Sequence, residues 1–260
     1  MDVEAVRSAF ADRGVVRLEG AFGRDAAARI RDVVWRYAER RVGLRLDDQS
    51  TWPAGWLPLS WKGVKRNRAF DALVDNPSVT AALDGIFGAA GWRRPKSGAQ
   101  VLVSLPAPGP WALPDGWHMD CGFERPTWPV FAVKLFGFFG EVGPRGGGTM
   151  LLPGSHRIVD RYRSTFEEPP GAGKANWQPF LRRYPPLGDL LMGATRPDLG
   201  RSMVGERYEV EGVPVDVVEL TGAPGDVVIT HLHVFHSASP NTSDTPRQML
   251  GKAVHAASRQ

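Results

Sequence analysis

The feature that most restricts the fold of this chain is the change in sequence pattern at Ala99. From that residue onward, short apolar runs are separated by glycine and proline. The residues from Gln100 to Ser104 alternate in polarity, which places these two side chains on the same face of a strand. The run 129–139 is apolar on both faces except at Lys134, so we expect a buried strand there. Short strands divided by turn residues predict a β-sandwich or barrel.

The part of the chain before this change has a helical pattern. An apolar stripe predicts a helix at 25–41, helices are also expected at 2–13 and 77–87, and 14–20 is expected to be an edge strand. We therefore expect one domain over 1–260, in which a helical part at about 1–95 precedes a β core at about 99–256. The core would carry an insertion at about 158–212, which is too long for an ordinary hairpin connection.

Composition excludes several classes of protein. The single cysteine, Cys121, rules out a disulfide framework within the chain, and we expect it to be a core residue. The net charge of +4 is spread over scattered arginines, which favours a solvated surface over nucleic-acid binding. The N-terminus has no signal-peptide pattern, and no run approaches the roughly 18–20 apolar residues of a membrane span. We expect a cytoplasmic protein that acts on a small molecule, with no nucleic-acid or membrane partner and an oligomeric state that the sequence leaves open.

Two segments of the sequence offer metal-binding side chains. In the tetrapeptide Trp-His-Met-Asp, an extended backbone would project His118 and Asp120 to the same side. The second segment reads as a turn followed by a strand that ends at His236. On such a strand His231 and His233 would lie on the opposite face, which favours His236 as the ligand. Two histidines and one carboxylate form the facial triad of non-haem Fe(II) oxygenases, which leaves three coordination positions open.

Further motifs make the chain similar to a known family, the phytanoyl-CoA dioxygenase-like (PhyH-like) branch of the Fe(II)/2-oxoglutarate oxygenases. The features that carry the resemblance are His118-Met-Asp120, Gly-Gly-Thr-Met-Leu-Leu-Pro-Gly-Ser-His-Arg at 147–157, His-Ser-Ala-Ser-Pro-Asn at 236–241, and Arg247. The segment 10–22 also looks like the opening of that family, whereas 45–70 and 158–210 match nothing in it. The resemblance implies a mainly β fold with flanking helices, whose core is a double-stranded β-helix, the jelly-roll or cupin-like architecture.

The same resemblance implies a cofactor and two cosubstrates. Fe(II) would be bound by His118, Asp120 and His236, with 2-oxoglutarate and O2 completing the reaction. After a turn-rich loop, Arg247 would return on the adjacent strand and hold the distal carboxylate of 2-oxoglutarate in a bidentate pair. Other side chains expected near the cosubstrate each have the alternative role of satisfying a buried backbone group; they are Gln100, Ser104 and Thr149.

The expected reaction is hydroxylation of an unactivated C–H bond, with release of succinate and CO2. Asp120 argues against halogenation, since related halogenases replace this carboxylate with a small residue. Desaturation, epoxidation and cyclisation start from the same chemistry and stay open. The expected substrate is a natural-product intermediate, with an acyl-CoA as the second choice. From other classes, a zinc-dependent hydrolase and a catalytically silent ligand-binding barrel remain alternatives.

The candidate substrate contacts are Lys134, Trp177 and Arg182. A charge in a buried strand is costly unless it is paired, so Lys134 could meet a carboxylate of the substrate or cosubstrate; an outward-pointing lysine is the alternative. The insertion that contains Trp177 and Arg182 could cover the metal site as a lid, or it could be surface decoration. The Trp-rich passage 51–61 could line a substrate mouth or cap a core. His156 is interpreted as structural.

Overall fold

The computed structural model describes residues 2–53, 57, 59–171, 177–191, 204–205 and 207–257. Within these residues the helices are α1 (Val3–Arg13), α2 (Arg24–Val42), α3 (Pro77–Phe87), α4 (Ser155–Arg163), α5 (Trp177–Arg183) and α6 (Pro185–Leu191). The strands are β1 (Val15–Leu18), β2 (Trp92–Arg93), β3 (Gln100–Ser104), β4 (Ala132–Phe138), β5 (Thr149–Leu151), β6 (Arg207–Val210), β7 (Val213–Asp216), β8 (Val218–Glu219), β9 (Val227–His231), β10 (His236–Ala238) and β11 (Arg247–Ala256). Three short 3-10 helices lie between α2 and α3, at Gln49–Thr51, Trp61–Gly63 and Arg68–Leu73.

The large sheet is antiparallel and has the strand order β1-β9-β4-β11-β2, with β3 also paired to β11. The smaller sheet has the order β10-β5-β8, and β6 pairs with β7 in a separate hairpin. The predicted edge strand is β1, which pairs only with β9 among the described strands. Because neighbours in both sheets are distant in sequence, the sheets are built by long-range pairing.

Alternation along β4 shows how the large sheet separates two cores. Val133 and Leu135 face the helices and are fully buried with Phe10 and Ile30 of α1 and α2. Phe136 and the other side chains of the opposite face fill the space toward the smaller sheet. A strand covered on both faces has to be apolar on both faces, which is why the sequence around it lacks simple alternation.

The helical layer begins and ends where the sequence predicts. Asp2 caps α1 by accepting a hydrogen bond from the backbone N–H of Glu4, and Asn76 caps α3 in the same way through the N–H of Val79. Gly14 ends α1 with a φ of 68° and lies so close to His156 that a Cβ there would be 2.7 Å from His156 Nδ1. Glycine therefore allows both the left-handed turn and the close approach of α1.

The described part of the 158–212 insertion packs as a third core rather than standing free. Helices α4 to α6 bury Phe180 and Leu187 against the outer side of the smaller sheet, together with Met150, Leu152 and Phe235. Residues 172–176, 192–203 and 206 of the insertion lie outside the described residues. No helix in the described part of the chain is both long and apolar enough to cross a membrane.

Candidate metal and cosubstrate site

Three side chains from two distant segments meet at the mouth of the space between the sheets. One ligand atom from each of His118, Asp120 and His236 lies within 4.8 Å of the other two. His236 Nε2 is 3.8 Å from Asp120 Oδ1, and the two imidazole rings are 4.3 Å apart between centroids. His118 and Asp120 are exposed, whereas His236 is buried. The donor set of two imidazoles and one carboxylate suits Fe(II), so these residues could hold the ion.

Backbone pairing holds the two ligand segments together. His118 and His236 exchange both of their backbone hydrogen bonds at 2.9 Å, and the N–H of Asp120 donates to Leu232 O at 3.1 Å. This corrects two predictions about strands. His118 forms only a single bridge and Asp120 lies in a bend, so this segment is not a continuous strand. The downstream strand ends at His231, and His236 begins β10 in the other sheet after a turn.

Hydrogen bonds to the rings determine which nitrogens face the metal position. His118 Nδ1 is 3.0 Å from Gly116 O, and His236 Nδ1 is 3.0 Å from Val234 O. Because a carbonyl can only accept, each Nδ1 carries the proton and each Nε2 is left as a donor to a metal. Burial lowers the pKa of His236 to about 4, which keeps this imidazole neutral as metal binding requires.

Lys134 lies inside the site and is neither exposed nor directed away from it. Its Nζ is 3.3 Å from Asp120 Oδ2, and the side chain of Lys134 is only 17% exposed. The ammonium group also lies 5.9 Å from the centroid of the Phe136 ring, which in turn packs against His236 at 6.1 Å between centroids. The carboxylate that Lys134 meets is therefore one of the protein's own candidate metal ligands.

Arg247 is a buried cation without a carboxylate partner among the described residues. It is 8% exposed, and its NH1 donates to Gly147 O at 2.8 Å. Its Nε and the neighbouring Ser104 Oγ are buried without a hydrogen-bond partner. Burial lowers the pKa of Arg247 to about 10, within the range where it stays charged at neutral pH. Two unpaired donors beside a buried positive charge form a cradle for an anion.

The elements around Arg247 differ in part from the sequence expectation. Arg247 begins β11 in the large sheet, whereas His236 lies in the smaller one, so the two are not on adjacent strands as predicted. Ser104 is its register partner on β3. Asn241 holds the return loop by donating to Ser104 O at 3.2 Å and Thr245 O at 2.8 Å. The other two cosubstrate candidates are placed differently from each other: Thr149 is buried on β5, and Gln100 is exposed at the start of β3.

The remaining histidines and the cysteine have structural surroundings. His156, His231 and His233 are buried with ring centroids 5.2 Å apart along the series. Each Nε2 faces a backbone carbonyl, of Ala11, Thr127 and Gly122 respectively, at 3.0–3.2 Å. Burial lowers the pKa values to about 3 for His156, 4 for His231 and 3 for His233.

Cys121 is half-buried rather than a full core residue. Burial is the largest factor that raises the pKa of its thiol, to about 12. The thiol is therefore protonated at neutral pH and inert as a nucleophile. This position corrects the expectation of a core cysteine.

The two candidate substrate contacts in the insertion do not meet the triad among the described contacts. Trp177 packs edge-on against Phe235, with ring centroids 5.4 Å apart, as part of the third core. Arg182 is exposed on α5. Phe235 precedes His236 in sequence but is buried on the opposite side of the smaller sheet, so Trp177 supports the strand that carries the ligand.

A cavity of about 590 Å³ opens beside Lys134, and its cationic lining was not predicted from the sequence. Its described lining carries five cationic side chains and no carboxylate; the cations are Lys62, Lys65, Arg66, Lys134 and Lys252. The distribution of lysines in the sequence is the signal that could have indicated this cavity. Only six lysines occur in the chain, and four of them line this cavity.

The fold and the triad together define a class, a two-sheet β protein with a 2-His-1-carboxylate metal site. The sequence model of the phytanoyl-CoA dioxygenase (PhyH) family matches residues 10–249, and the chain belongs to this family. This confirms the predicted resemblance. No sequence among the curated proteins is significantly similar to the chain.

Solved structures share the fold at low sequence identity. The α-ketoglutarate-dependent epimerase SnoN from nogalamycin biosynthesis superposes with a TM-score of 0.54 at 14% identity, covering 97% of this chain and 81% of that one. AviO1 from Streptomyces viridochromogenes Tue57 gives 0.53 at 18%, with coverage of 100% and 97%. EctD from S. alaskensis, solved with 2-oxoglutarate and 5-hydroxyectoine, gives 0.52 at 16%, with coverage of 97% and 75%. These similarities confirm the predicted jelly-roll fold with flanking helices.

Proposed function

We propose that this protein is an Fe(II)- and 2-oxoglutarate-dependent dioxygenase that hydroxylates an unactivated C–H bond of a small natural-product intermediate. The observation that carries the proposal is the pairing of the His118–Asp120–His236 triad with the buried Arg247 guanidinium. A buried arginine without a counter-ion is costly, and a carboxylate bound beside it removes that cost. Membership of the PhyH family and the natural-product enzymes among the structural neighbours support the same assignment.

Each residue of the site has a stated task in this proposal. His118, Asp120 and His236 hold Fe(II) on one side, because their donor atoms converge from two backbone-paired segments. Lys134 fixes the orientation of the Asp120 carboxylate through Oδ2. Phe136 shields His236 from water by packing its ring against the imidazole. When bound, Fe(II), 2-oxoglutarate and O2 together supply an oxidant able to remove a hydrogen atom from a C–H bond, and 2-oxoglutarate leaves as succinate and CO2.

Arg247 and Ser104 bind and orient the cosubstrate. The free Nε of Arg247 and the free hydroxyl of Ser104 both donate to the distal carboxylate of 2-oxoglutarate. Gly147 positions the guanidinium through its carbonyl, and its lack of a side chain keeps the cradle open, because a Cβ there would lie 2.9 Å from Ser104 Oγ. Thr149 is a further proposed cosubstrate contact. Gln100, the other candidate from the sequence, pairs with Gly251 at the far end of β3 and lines the cavity beside Lys134. Charge-assisted bonds of the Arg247 kind contribute about 1.5–3 kcal/mol each.

Substrate-independent turnover tests the reaction class. Purified protein with Fe(II), O2 and 2-oxoglutarate should slowly form succinate without added substrate, and Zn(II) in place of Fe(II) should give none. The His236→Ala variant, which lacks the buried histidine donor, is the control that should also form none. Succinate formation at the same rate with Zn(II), or in the His236→Ala variant, would contradict the proposal.

A further inference from the structure

The cavity beside Lys134 is lined by five cationic side chains and by no described carboxylate. We propose that it is the substrate entrance of the enzyme and that it binds an oxyanion, a phosphate or carboxylate group, of an organic substrate. This inference rests on the proposed function, and it adds the chemical class of the substrate.

The cations at the mouth of the cavity are free to bind a ligand. Lys62, Lys65 and Arg66 are exposed, and none forms an ion pair with another described residue. Like charges held on one wall repel one another, and an arriving anion relieves that repulsion. Because Trp61 forms part of the same wall, an organic substrate would find an apolar surface next to the charged one.

Backbone contacts fix this wall against the large sheet. The N–H of Ala99 donates to Lys65 O at 2.8 Å, and the N–H of Gly98 donates to Asp71 Oδ1 at 2.9 Å. Lys252 Nζ donates to the carbonyls of Lys96 and Gly98. The segment 96–99 is thus held from three sides, and it holds the 62–66 segment at the start of β3. A wall fixed in this way is preformed for binding.

Lys134 connects the cavity to the candidate metal site, because it lines the one and contacts a ligand of the other. Lys134 lines the cavity, and its Nζ is 3.3 Å from Asp120 Oδ2. Gly251 lines the cavity next to Lys134. A side chain at this position would crowd the cavity wall, because its Cβ would lie 3.3 Å from Lys134 Cε and 3.2 Å from Leu102 Cδ1. Along the paired strands β3 and β11, Gly251 is four residues from Arg247 and its partner Ser104, a distance of about 13 Å. The cosubstrate cradle and the cationic wall are therefore separate binding places.

The size and charge together limit what can bind. A cavity of about 590 Å³ accommodates a small organic molecule. A substrate bound with its anionic group at Lys62, Lys65 and Arg66 would extend past Lys134 toward the triad. Its reacting carbon would then lie at the end of the molecule remote from the charge.

Calorimetric titration of the metal-free protein with anion probes tests the inference without turnover. The probes are inorganic pyrophosphate for the phosphate arm and benzoate for the carboxylate arm. The variant Lys62→Gln/Lys65→Gln/Arg66→Gln should bind the favoured probe at least 10-fold more weakly than the unmodified protein. The matched control, Arg24→Gln/Arg29→Gln/Arg31→Gln, removes the same charge from exposed positions on α2 and should stay within twofold.

The results separate this inference from the proposed function. If neither probe binds the unmodified protein, or if both triple variants lose affinity equally, the inference is wrong. Anion binding without iron- and 2-oxoglutarate-dependent spectral changes would refute the proposed function and leave an anion site. If the iron- and 2-oxoglutarate-dependent spectral changes occur but no anion binds, the inference about the cavity is wrong and the proposed function stands. Equal melting temperatures of the two triple variants would show that folding is not the cause of any difference.

Discussion

Five of the six histidines in this chain fall into two groups that have similar spacing and opposite chemistry. The metal group, His118 and His236, has rings 4.3 Å apart, and the buried group of three has rings 5.2 Å apart. The metal group adds Asp120, and neither of its Nε2 atoms forms a hydrogen bond with another described residue. In the buried group each Nε2 faces a carbonyl. The comparison shows that a carboxylate and a free Nε2, rather than the proximity of imidazoles, distinguish a metal site.

The largest expected effect separates the two groups directly. His236→Ala removes a metal donor and should weaken Fe(II) binding by about 100-fold or more, beyond the roughly 10–100-fold cost of losing an indirect partner of a ligand. His233→Ala in the buried group should keep Fe(II) binding within a few-fold and lower the stability by about 2–4 kcal/mol through the cavity it leaves. Metal titration and chemical denaturation of both variants check this. Equal loss of Fe(II) binding in the two variants would remove the distinction between the groups.

The second expected effect concerns Arg247, the proposed binding residue for 2-oxoglutarate beside the metal group. Arg247→Ala should raise the concentration of 2-oxoglutarate needed for half-saturation by about 10- to 150-fold, which corresponds to the loss of about 1.5–3 kcal/mol. Fe(II) binding should be unchanged because Arg247 contacts none of the three ligands among the described residues. Arg36→Ala on exposed α2 is the control. An unchanged 2-oxoglutarate requirement in Arg247→Ala would show that the cradle is not used.

The third effect is a pH dependence to which the three histidines of the buried group contribute together with His236, since burial lowers the pKa of all four. Burial lowers the pKa of His231 to about 4, whereas an unfolded histidine has a pKa of about 6.5. Between these values the unfolded chain binds a proton that the folded chain does not, so stability is present above about pH 6.5 and is lost as the pH falls. The loss should be about 2 kcal/mol per histidine between pH 7.5 and pH 5.

Denaturation at the two pH values checks this prediction in variants. His231→Gln should reduce the pH-dependent change in the free energy of unfolding by about 2 kcal/mol. His255→Gln is the matched control, because His255 is exposed on β11. The same change in both variants would mean that the buried group does not determine acid stability.

The smallest effect concerns the hydroxyl beside Arg247. Ser104→Ala should weaken 2-oxoglutarate binding by about 2- to 10-fold, since a single hydrogen bond contributes about 0.5–1.5 kcal/mol. Titration of the anaerobic Fe(II) complex measures it, and Ser50→Ala at an exposed 3-10 helix serves as the control. Tighter binding in Ser104→Ala would place the carboxylate elsewhere.

Local sequence signals predicted the three helices before residue 95 well, did not predict α4 to α6, and predicted the strand boundaries less well. Helix α3 occupies 77–87 as predicted, because Asn76 and Pro77 mark its start. The segment ending at His236 was predicted as one strand, but it contains a turn that moves the chain from the large sheet to the smaller one. Alternation cannot reveal such a crossing, because it is determined by pairing with residues such as His118 and Leu151 far away in sequence.

The candidate site also has one part that the sequence predicted and one part that it did not. The three metal ligands carry a recognisable motif, and the structure brings them together. The cationic cavity carries no motif, since Lys62 and Lys65 lie in a passage without regular periodicity. Their position depends on the hydrogen bond from Ala99 to Lys65 and on β11, which brings in Lys252. A site assembled by such non-local contacts can be found only once the fold is known.

In the proposed function one site binds both Fe(II) and 2-oxoglutarate, with the triad and Arg247 at its two ends. The most direct test adds Fe(II) and then 2-oxoglutarate to the metal-free protein under anaerobic conditions and records the visible metal-to-ligand charge-transfer band. The account predicts a band in the unmodified protein, no band in His236→Ala, and a band in Arg247→Ala only at much higher 2-oxoglutarate concentrations. Absence of the band in well-folded unmodified protein would contradict it.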